Sequence, residues 1–346
     1  MKIRQRGRCM AQSSFEIVRS SLRLETPERL PVRMGTLGVD DTGWIPRRTE
    51  ERGERDGLRI DEWGCGWDHT AMKNMGQVKS HPLCSVAEHD KVRVPDYSQA
   101  WRYEGLEEDF ERAENAGRYT QVGIFMILFE RMHSLAGFEN VLVGLLADPE
   151  NAGALADKIL DAQIALVRNY QERFGTRLHS FSMTEDWGTQ QAAFVDMALW
   201  NEFFLPRYRT LFAAMHEGGQ DVWVHSCGKV NEVVGGLIEA GADVVNLQQP
   251  RALGIDEMGR RYRGKITFES LADIQATLPS ADLSRIEADA RALAEHWMLP
   301  EGGFVFSDYG DGGAIGASEK AKTIMYEAFS RVSADLYGKP LPSLAA

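Results

Sequence analysis

Cysteine is scarce in this chain: four occur in 346 residues, at positions 9, 65, 84 and 227, with no regular spacing. That excludes a disulfide framework and fits a reducing, cytoplasmic setting. No apolar run approaches the roughly 18 residues that a membrane-spanning helix requires. The N-terminus, MKIRQRGRCMAQ, is basic but has no apolar stretch behind it, so it does not read as a secretory signal, and residues 1–12 are expected to be poorly ordered. Positive charge is also short, with 39 Lys and Arg against 51 Asp and Glu and a net charge of −12. A protein that meets phosphate backbones needs a basic face, so nucleic-acid binding is excluded as the main role. One basic run, Arg47, Arg48, Arg52 and Arg55, is interleaved with Glu50, Glu51 and Glu54 and reads as a solvated face. Neither G-x-G-x-x-G after an early strand nor G-x-x-x-x-G-K-[ST] occurs, which removes the main support for a doubly wound nucleotide-binding fold.

What is present is a repeat of strand and helix. Leu155, Ile159, Ala162, Leu166 and Tyr170 recur at three- and four-residue steps, so 149–174 reads as an amphipathic helix stopped by Gly175. A strand at 178–184 follows, then a helix over roughly 196–217, then DVWVHS (221–226) as a buried strand. The unit recurs through a helix at 230–240, a strand at 243–248, a short helix after Gly254 and a strand at 265–269. It ends with a helix at 283–297, a strand at 303–308 and a long C-terminal helix. An earlier strand running into a helix is read over 119–129. Strands apolar on both faces and separated by helices imply a parallel sheet covered by helices. The residues from about 115 onward supply roughly the 250 that a (β/α)8 barrel takes. The expected architecture is therefore an α/β fold of the (β/α)8 TIM-barrel type, a single domain over 1–346. The Pro- and Gly-punctuated first hundred residues should decorate its mouth.

Barrel enzymes place their reacting groups just past the C-terminal ends of the strands. Those ends carry Glu185 and Asp186, His225 and Cys227, Gln248 and Gln249, Glu269, then Asp308, Tyr309 and Asp311. Each alone is as readily ordinary loop chemistry; five consecutive strands ending this way is the signal. His225-Ser-Cys227 can point an imidazole and a thiol to one side of a strand, as a metal chelate needs. The plainer reading is a buried thiol beside a hydrogen-bonded histidine. Glu185 and Asp186 are candidates for acid, base or orienting roles, with N-capping by Asp186 as the alternative. Trp187 and Gln190 suit a ligand wall, Gln248, Gln249 and Glu269 are further binding candidates, and the Trp63-Gly-Cys-Gly-Trp67 loop is a candidate cap. The glycines of SDYGDGG (307–313) would let backbone approach a ligand, or simply make a turn. Phe203 and Phe204 are open between core and a subunit interface.

LAGFENVLVGLLADPE (135–150), TEDWGTQ (184–190), VWVHSCGKVNEVVGGLIEAGADVVNLQ (222–248) and FSDYGDGGAIGASEKAKTIMYEAF (306–329) together resemble the uroporphyrinogen decarboxylase superfamily, as does LETPERLPV (24–32). The resemblance covers most of the chain from about residue 15. It implies a (β/α)8 barrel, and His225-x-Cys227 is similar to the zinc-dependent methyltransferase branch, whose zinc activates a thiol against a methyl group on a corrinoid or folate. In that branch a second cysteine lies where Tyr309 stands, and in some members a glutamate lies where Gln249 stands, so only His225 and Cys227 carry over as ligands. Asp308, Asp311, Glu185 or Glu269 could complete a zinc site. The decarboxylase itself binds its tetrapyrrole through N-terminal arginines in a motif this chain lacks. The resemblance thus implies a methyltransferase or demethylase acting on a small methylated compound, with a corrinoid module on a separate protein and a homodimer as the expected assembly. The alternatives are a metal-independent lyase of decarboxylase type, with Asp186 or Tyr309 as proton donor, and a barrel that binds a small ligand without catalysis.

Overall fold

A computed structural model describes residues 11–68 and 76–344. Eight strands run parallel around the barrel: β1 (Val32–Met34), β2 (Thr42–Ile45), β3 (Tyr119–Ile124), β4 (Ser180–Thr184), β5 (Asp221–His225), β6 (Val244–Leu247), β7 (Thr267–Ser270) and β8 (Phe304–Ser307). From β2 through β8 and back to β1, each neighbouring pair is a backbone ladder, with Trp223 opposite Ser182 and Val244, for example.

The join between β1 and β2 is made differently. After β1 the chain descends as Val39–Asp40, antiparallel to it, then reverses at Asp41 and rises as β2. The Asp40 carboxylate accepts from the backbone N–H and the hydroxyl of Thr42, both at 2.7 Å, and so forms the turn. Asp41 occupies the seam. Its N–H donates to the Val32 carbonyl at 2.7 Å, its carboxylate accepts from the Val32 N–H at 2.8 Å, and its carbonyl accepts from the Tyr119 N–H at 2.9 Å. The buried Arg29 clamps the same carboxylate through two nitrogens at 2.7 and 2.6 Å. Removing one partner of such a buried pair costs about 3–5 kcal/mol, because the other charge is stranded.

Strand alternation sorts the barrel residues into two sets. Val122, Phe181, Val222, Val224, Val245, Leu247, Phe268, Phe304 and Phe306 face outward and are sealed beneath the helices. The inward set forms a separate cluster at the N-terminal end, where Tyr119, Trp223, Val244 and Val305 meet Val18 of α1 (Ser14–Leu22). This helix crosses the barrel floor, and a capping box between Ser13 and Glu16 fixes its start. Residues up to 10 lie outside the described residues, as does Cys9, but Gln12 is held: its side chain bonds Ser20 and the Glu28 N–H.

The helices of the second half fall close to the sequence pattern, with α5 at Pro149–Phe174, α7 at Asn231–Ala240, α8 at Ile255–Tyr262, α9 at Leu283–Trp297 and α10 at Glu319–Tyr337. The helix expected over 196–217 is broken. Met197–Leu199 passes through a π-helical turn, Trp200–Phe204, into α6 (Leu205–Glu217). Pro206 has no N–H to return to the preceding turn, and the wider turn absorbs the loss. Phe203 and Phe204 are buried there in the core rather than presented to a partner. Among the described residues no helix is long and apolar enough to cross a membrane.

Between β2 and α2 (Leu106–Asn115) the chain builds a four-stranded antiparallel sheet from 54–55, 58–60, 66–68 and 77–80. The insertion leaves from the C-terminal end of β2, so it rises on the functional side of the barrel, as the sequence implies. Two helices follow β3 on the same side, α3 (Phe129–Ala136) and α4 (Phe138–Ala147).

Candidate metal and substrate site

Three side chains converge above β4 and β5. The Cys227 Sγ lies 3.3 Å from the His225 Nε2, and the nearer Asp186 oxygen lies 3.5 Å from the same nitrogen. All three donor atoms fall within 4.8 Å of one another. A tetrahedral zinc with a sulfur at about 2.3 Å and nitrogen or oxygen at about 2.0 Å separates its ligands by about 3.3–3.6 Å. The spacing therefore fits a metal already. His225 Nδ1 lies 2.6 Å from the Asn246 Oδ1 and donates to it, which leaves the lone pair on Nε2 turned toward the cysteine. Burial, and then the neighbouring Asp186 charge, push the Cys227 thiol well above its ordinary range. A thiolate there requires a cation beside it.

Two loops are locked together to hold this geometry. The Asp186 carboxylate accepts from the Cys227 N–H at 2.8 Å, and the Thr189 carbonyl from the Lys229 N–H at 2.7 Å. Gly228 sits at φ +88°, and a Cβ on it would lie 2.3 Å from the Gly188 carbonyl oxygen. No other residue allows the loops this approach. Gln249 braces the same turn, its side-chain oxygen accepting from the Gly228 N–H at 3.1 Å and from the Gln190 amide at 3.2 Å.

Behind the trio lie two buried carboxyls. Glu185 accepts from the Leu128 and Glu130 backbone N–H groups, at 2.8 and 3.0 Å, and so caps the start of α3. That is a positioning role, in place of the acid or metal ligand the sequence suggested. Glu130 is 7% exposed, and its Oε2 has no hydrogen-bond partner among the described residues. Burial raises its titration first, followed by the charges of Asp186 and Glu185. Of this pair, Glu185 has the two N–H donors that favour an anion, so the proton belongs on Glu130.

The remaining sequence candidates divide. Tyr309 lies within electrostatic reach of the trio: burial raises its phenol, with Cys227, Asp311 and Asp186 contributing. Asp308, expected as a ligand, is instead bonded to Thr36 and, at 3.3 Å, to the buried Lys322. Asp186 takes the place expected for it, because the turn at Gly228 draws the two loops together. Trp187 is fully buried, stacked on Phe129 with centroids 4.4 Å apart, so it forms core and not a ligand wall. Gln248 is half-buried and its backbone carbonyl accepts from the Ile274 N–H at 3.3 Å. Glu269 holds Arg33 at 2.9 Å inside the barrel.

Trp63 and Trp67 line a separate cavity of about 250 Å³ with Arg47, Asp61, Phe125 and Arg131. The Asp61 carboxylate organises this loop, accepting from the Trp63 and Cys65 N–H groups and the Trp67 indole at 2.8–3.0 Å. The Cys65 thiol is structural: it donates to the Ser134 carbonyl, and burial pushes it up to about 12.

The sequence reading missed Asn246, Glu130, Arg33 and Trp44. Asn246 lay in plain view as a polar residue in the apolar run DVVNLQ, whereas Glu130 gave no signal, being an acidic residue in a helix.

Residues 61–307 match the sequence profile of the uroporphyrinogen decarboxylase (URO-D) family. No curated protein sequence matches the chain. Among solved structures the fold is similar to that of a methyltransferase from Methanosarcina mazei, at 12% identity and a TM-score of 0.64, covering 86% of this chain and 82% of that one. Weaker likenesses extend to a D-psicose 3-epimerase (11% identity, TM-score 0.43, 73% and 88% covered). Xylanase 10B of Thermotoga maritima is similarly distant (10%, 0.40, 69% and 82%).

Proposed function

This chain belongs to the uroporphyrinogen decarboxylase family, and from that premise we propose that it is a methyltransferase with a zinc ion held by Asp186, His225 and Cys227. It would move a methyl group between a small methylated compound, or a corrinoid or folate carrier, and an acceptor. The observation that carries this reading is the convergence of a sulfur, a nitrogen and an oxygen donor within 4.8 Å of one another, with His225 Nε2 at 3.3 and 3.5 Å from the other two. The name of the Methanosarcina mazei protein, a methyltransferase on the same fold, supports it.

The mixed sulfur, nitrogen and oxygen donor set suits zinc. Bound there, zinc would supply Lewis acidity and lower the pKa of a thiol or water brought to it. The chain's own residues do the rest. Asn246 fixes the imidazole tautomer and Gln249 fixes the Cys227 turn. Glu130, buried and with an Oε2 that has no partner among the described residues, would be the group to pass a proton to a leaving group and recover it. Tyr309, within electrostatic reach of Cys227 and Asp186, would line the site. A corrinoid carrier would arrive on a separate protein.

A second reading, a metal-independent lyase, draws on the same protonated Glu130 as a donor to a carbanion. Elemental analysis of untagged protein, purified without chelator, separates the two. Near-stoichiometric zinc in the wild type, lost in Cys227→Ser with the fold retained by circular dichroism, is the expected result. Folded wild type free of metal, and unable to take it up from added zinc, sinks the methyltransferase reading and leaves the lyase.

A further inference from the structure

The lumen holds a second constellation, across the barrel from the zinc ligands. Trp44 on β2 points inward: its neighbour Gly43 faces Ala113 of α2, and its ring lies over Gly123 of β3, where a Cβ would be 2.4 Å from two indole carbons. Gly123 is thus the bed on which the indole lies. The ring is nonetheless 52% exposed, although Trp63, Trp187, Trp200, Trp223 and Trp297 are almost completely buried. Beside it the Arg33 guanidinium stands 5.6 Å from the ring centroid. Its Nη1 is spent on both Glu269 oxygens, at 2.9 and 3.3 Å, while Nε and Nη2 have no partner among the described residues.

Charge balance selects what fits. Arg33 is already neutralised by Glu269, whose side chain is 2% exposed, so an anion would add an uncompensated charge. A cation on the indole would meet Arg33. A zinc ion with one thiolate and one carboxylate is also neutral overall. We propose that Trp44, Arg33 and Glu269 form the subsite for an uncharged planar ring bearing a hydrogen-bond acceptor: the ring stacks on the indole and the acceptor takes an Arg33 N–H. This rests on the methyl-transfer reading and deepens it, making the methylated compound a neutral aromatic or heteroaromatic. Glu269 stands two strands from His225 around the sheet, about 10 Å, so the subsite and the metal ligands open into one lumen.

The test is calorimetric titration with benzamide, benzoate, benzylammonium and cyclohexanecarboxamide. Benzamide should bind about tenfold more tightly than either charged analogue or the saturated amide, and Trp44→Ala should weaken it about tenfold, a loss of the size stacking supplies. Arg33→Met/Glu269→Gln, which removes both charges together, should also weaken it. Cys227→Ser should leave benzamide binding unchanged, so the subsite stands or falls apart from the zinc chemistry. Tighter binding of a charged analogue, equal binding of the saturated amide, indifference to Trp44→Ala, or no benzamide binding at millimolar concentration overturns the proposal.

Discussion

The floor and the mouth of this barrel are built from the same strands, and two residues separate them. On β5 the inward residue changes from Trp223 to His225, on β6 from Val244 to Asn246, and on β8 from Val305 to Ser307. A step of two residues, about 6.6 Å, keeps the side chain pointing inward and moves it from dry packing into chemistry. The floor is closed by α1 and packed dry, and even its Trp223 indole N–H has no hydrogen-bond partner among the described residues. The mouth keeps groups with unused bonding capacity, among them Glu130 Oε2, the Arg33 nitrogens and the open face of Trp44. Stability and function thus share strands without sharing residues.

If that separation is real, damage to the floor should lower stability and spare metal binding. Trp223→Ala should cost about 3–5 kcal/mol by urea denaturation, while zinc affinity of the folded protein stays at the wild-type value. A parallel loss of affinity would show that the two ends are mechanically one.

Acid offers a smaller blow at the floor. His179 stacks among Phe15 and Tyr119, and its Nδ1 accepts the Thr120 N–H at 2.9 Å, so it is held neutral; burial depresses it to about 4. A depressed base leaves the unfolded chain binding more protons, so stability is full above about 6.5 and falls as the pH drops toward 4. The share from His179 is about 3 kcal/mol at most. His133, at the mouth, is depressed to about 4 as well, chiefly by burial, and adds a loss of the same sign. His179→Gln, which can accept the same N–H without titrating, should flatten the urea midpoint against pH, leaving the His133 share. An unchanged profile would place the acid sensitivity elsewhere.

The smallest effect belongs to the mouth. Asn246→Leu should lower zinc affinity about 10–100-fold in a chelator competition, the usual cost of losing the partner that orients a metal-bound histidine. A variant that binds zinc as well as wild type would show that the loop geometry alone orients His225.

Much of this was legible in the chain itself, for reasons particular residues make plain. Strands β4 to β8 are short apolar runs between periodic helices, and their ends pointed to His225, Cys227 and Asp186 together. Strands β1 and β2 have three and four residues and carry Arg33 and Trp44 inward, so no apolar pattern marked them. Their neighbours along the sheet, and not their own sequence, make them strands. The place of Asp186 beside His225 and Cys227, where Asp308 was expected, depends on how closely Gly228 lets two loops approach, and Lys322, which holds Asp308, is 14 residues away in sequence. The four-stranded insertion was readable only as turns, because its strands are two to four residues long, too short to show an alternating pattern.

The seam at Asp41 gives the ring one joint unlike the rest. Elsewhere the circumference is fixed by rows of interstrand bonds, whereas here a single residue's bend and its guanidinium latch do the fastening. Such a joint is where a hoop changes its girth. Breathing of the lumen should concentrate at this stave, so that deuterium uptake at the Val32 and Asp41 amides, against those of β5, serves as the gauge of how far the barrel opens.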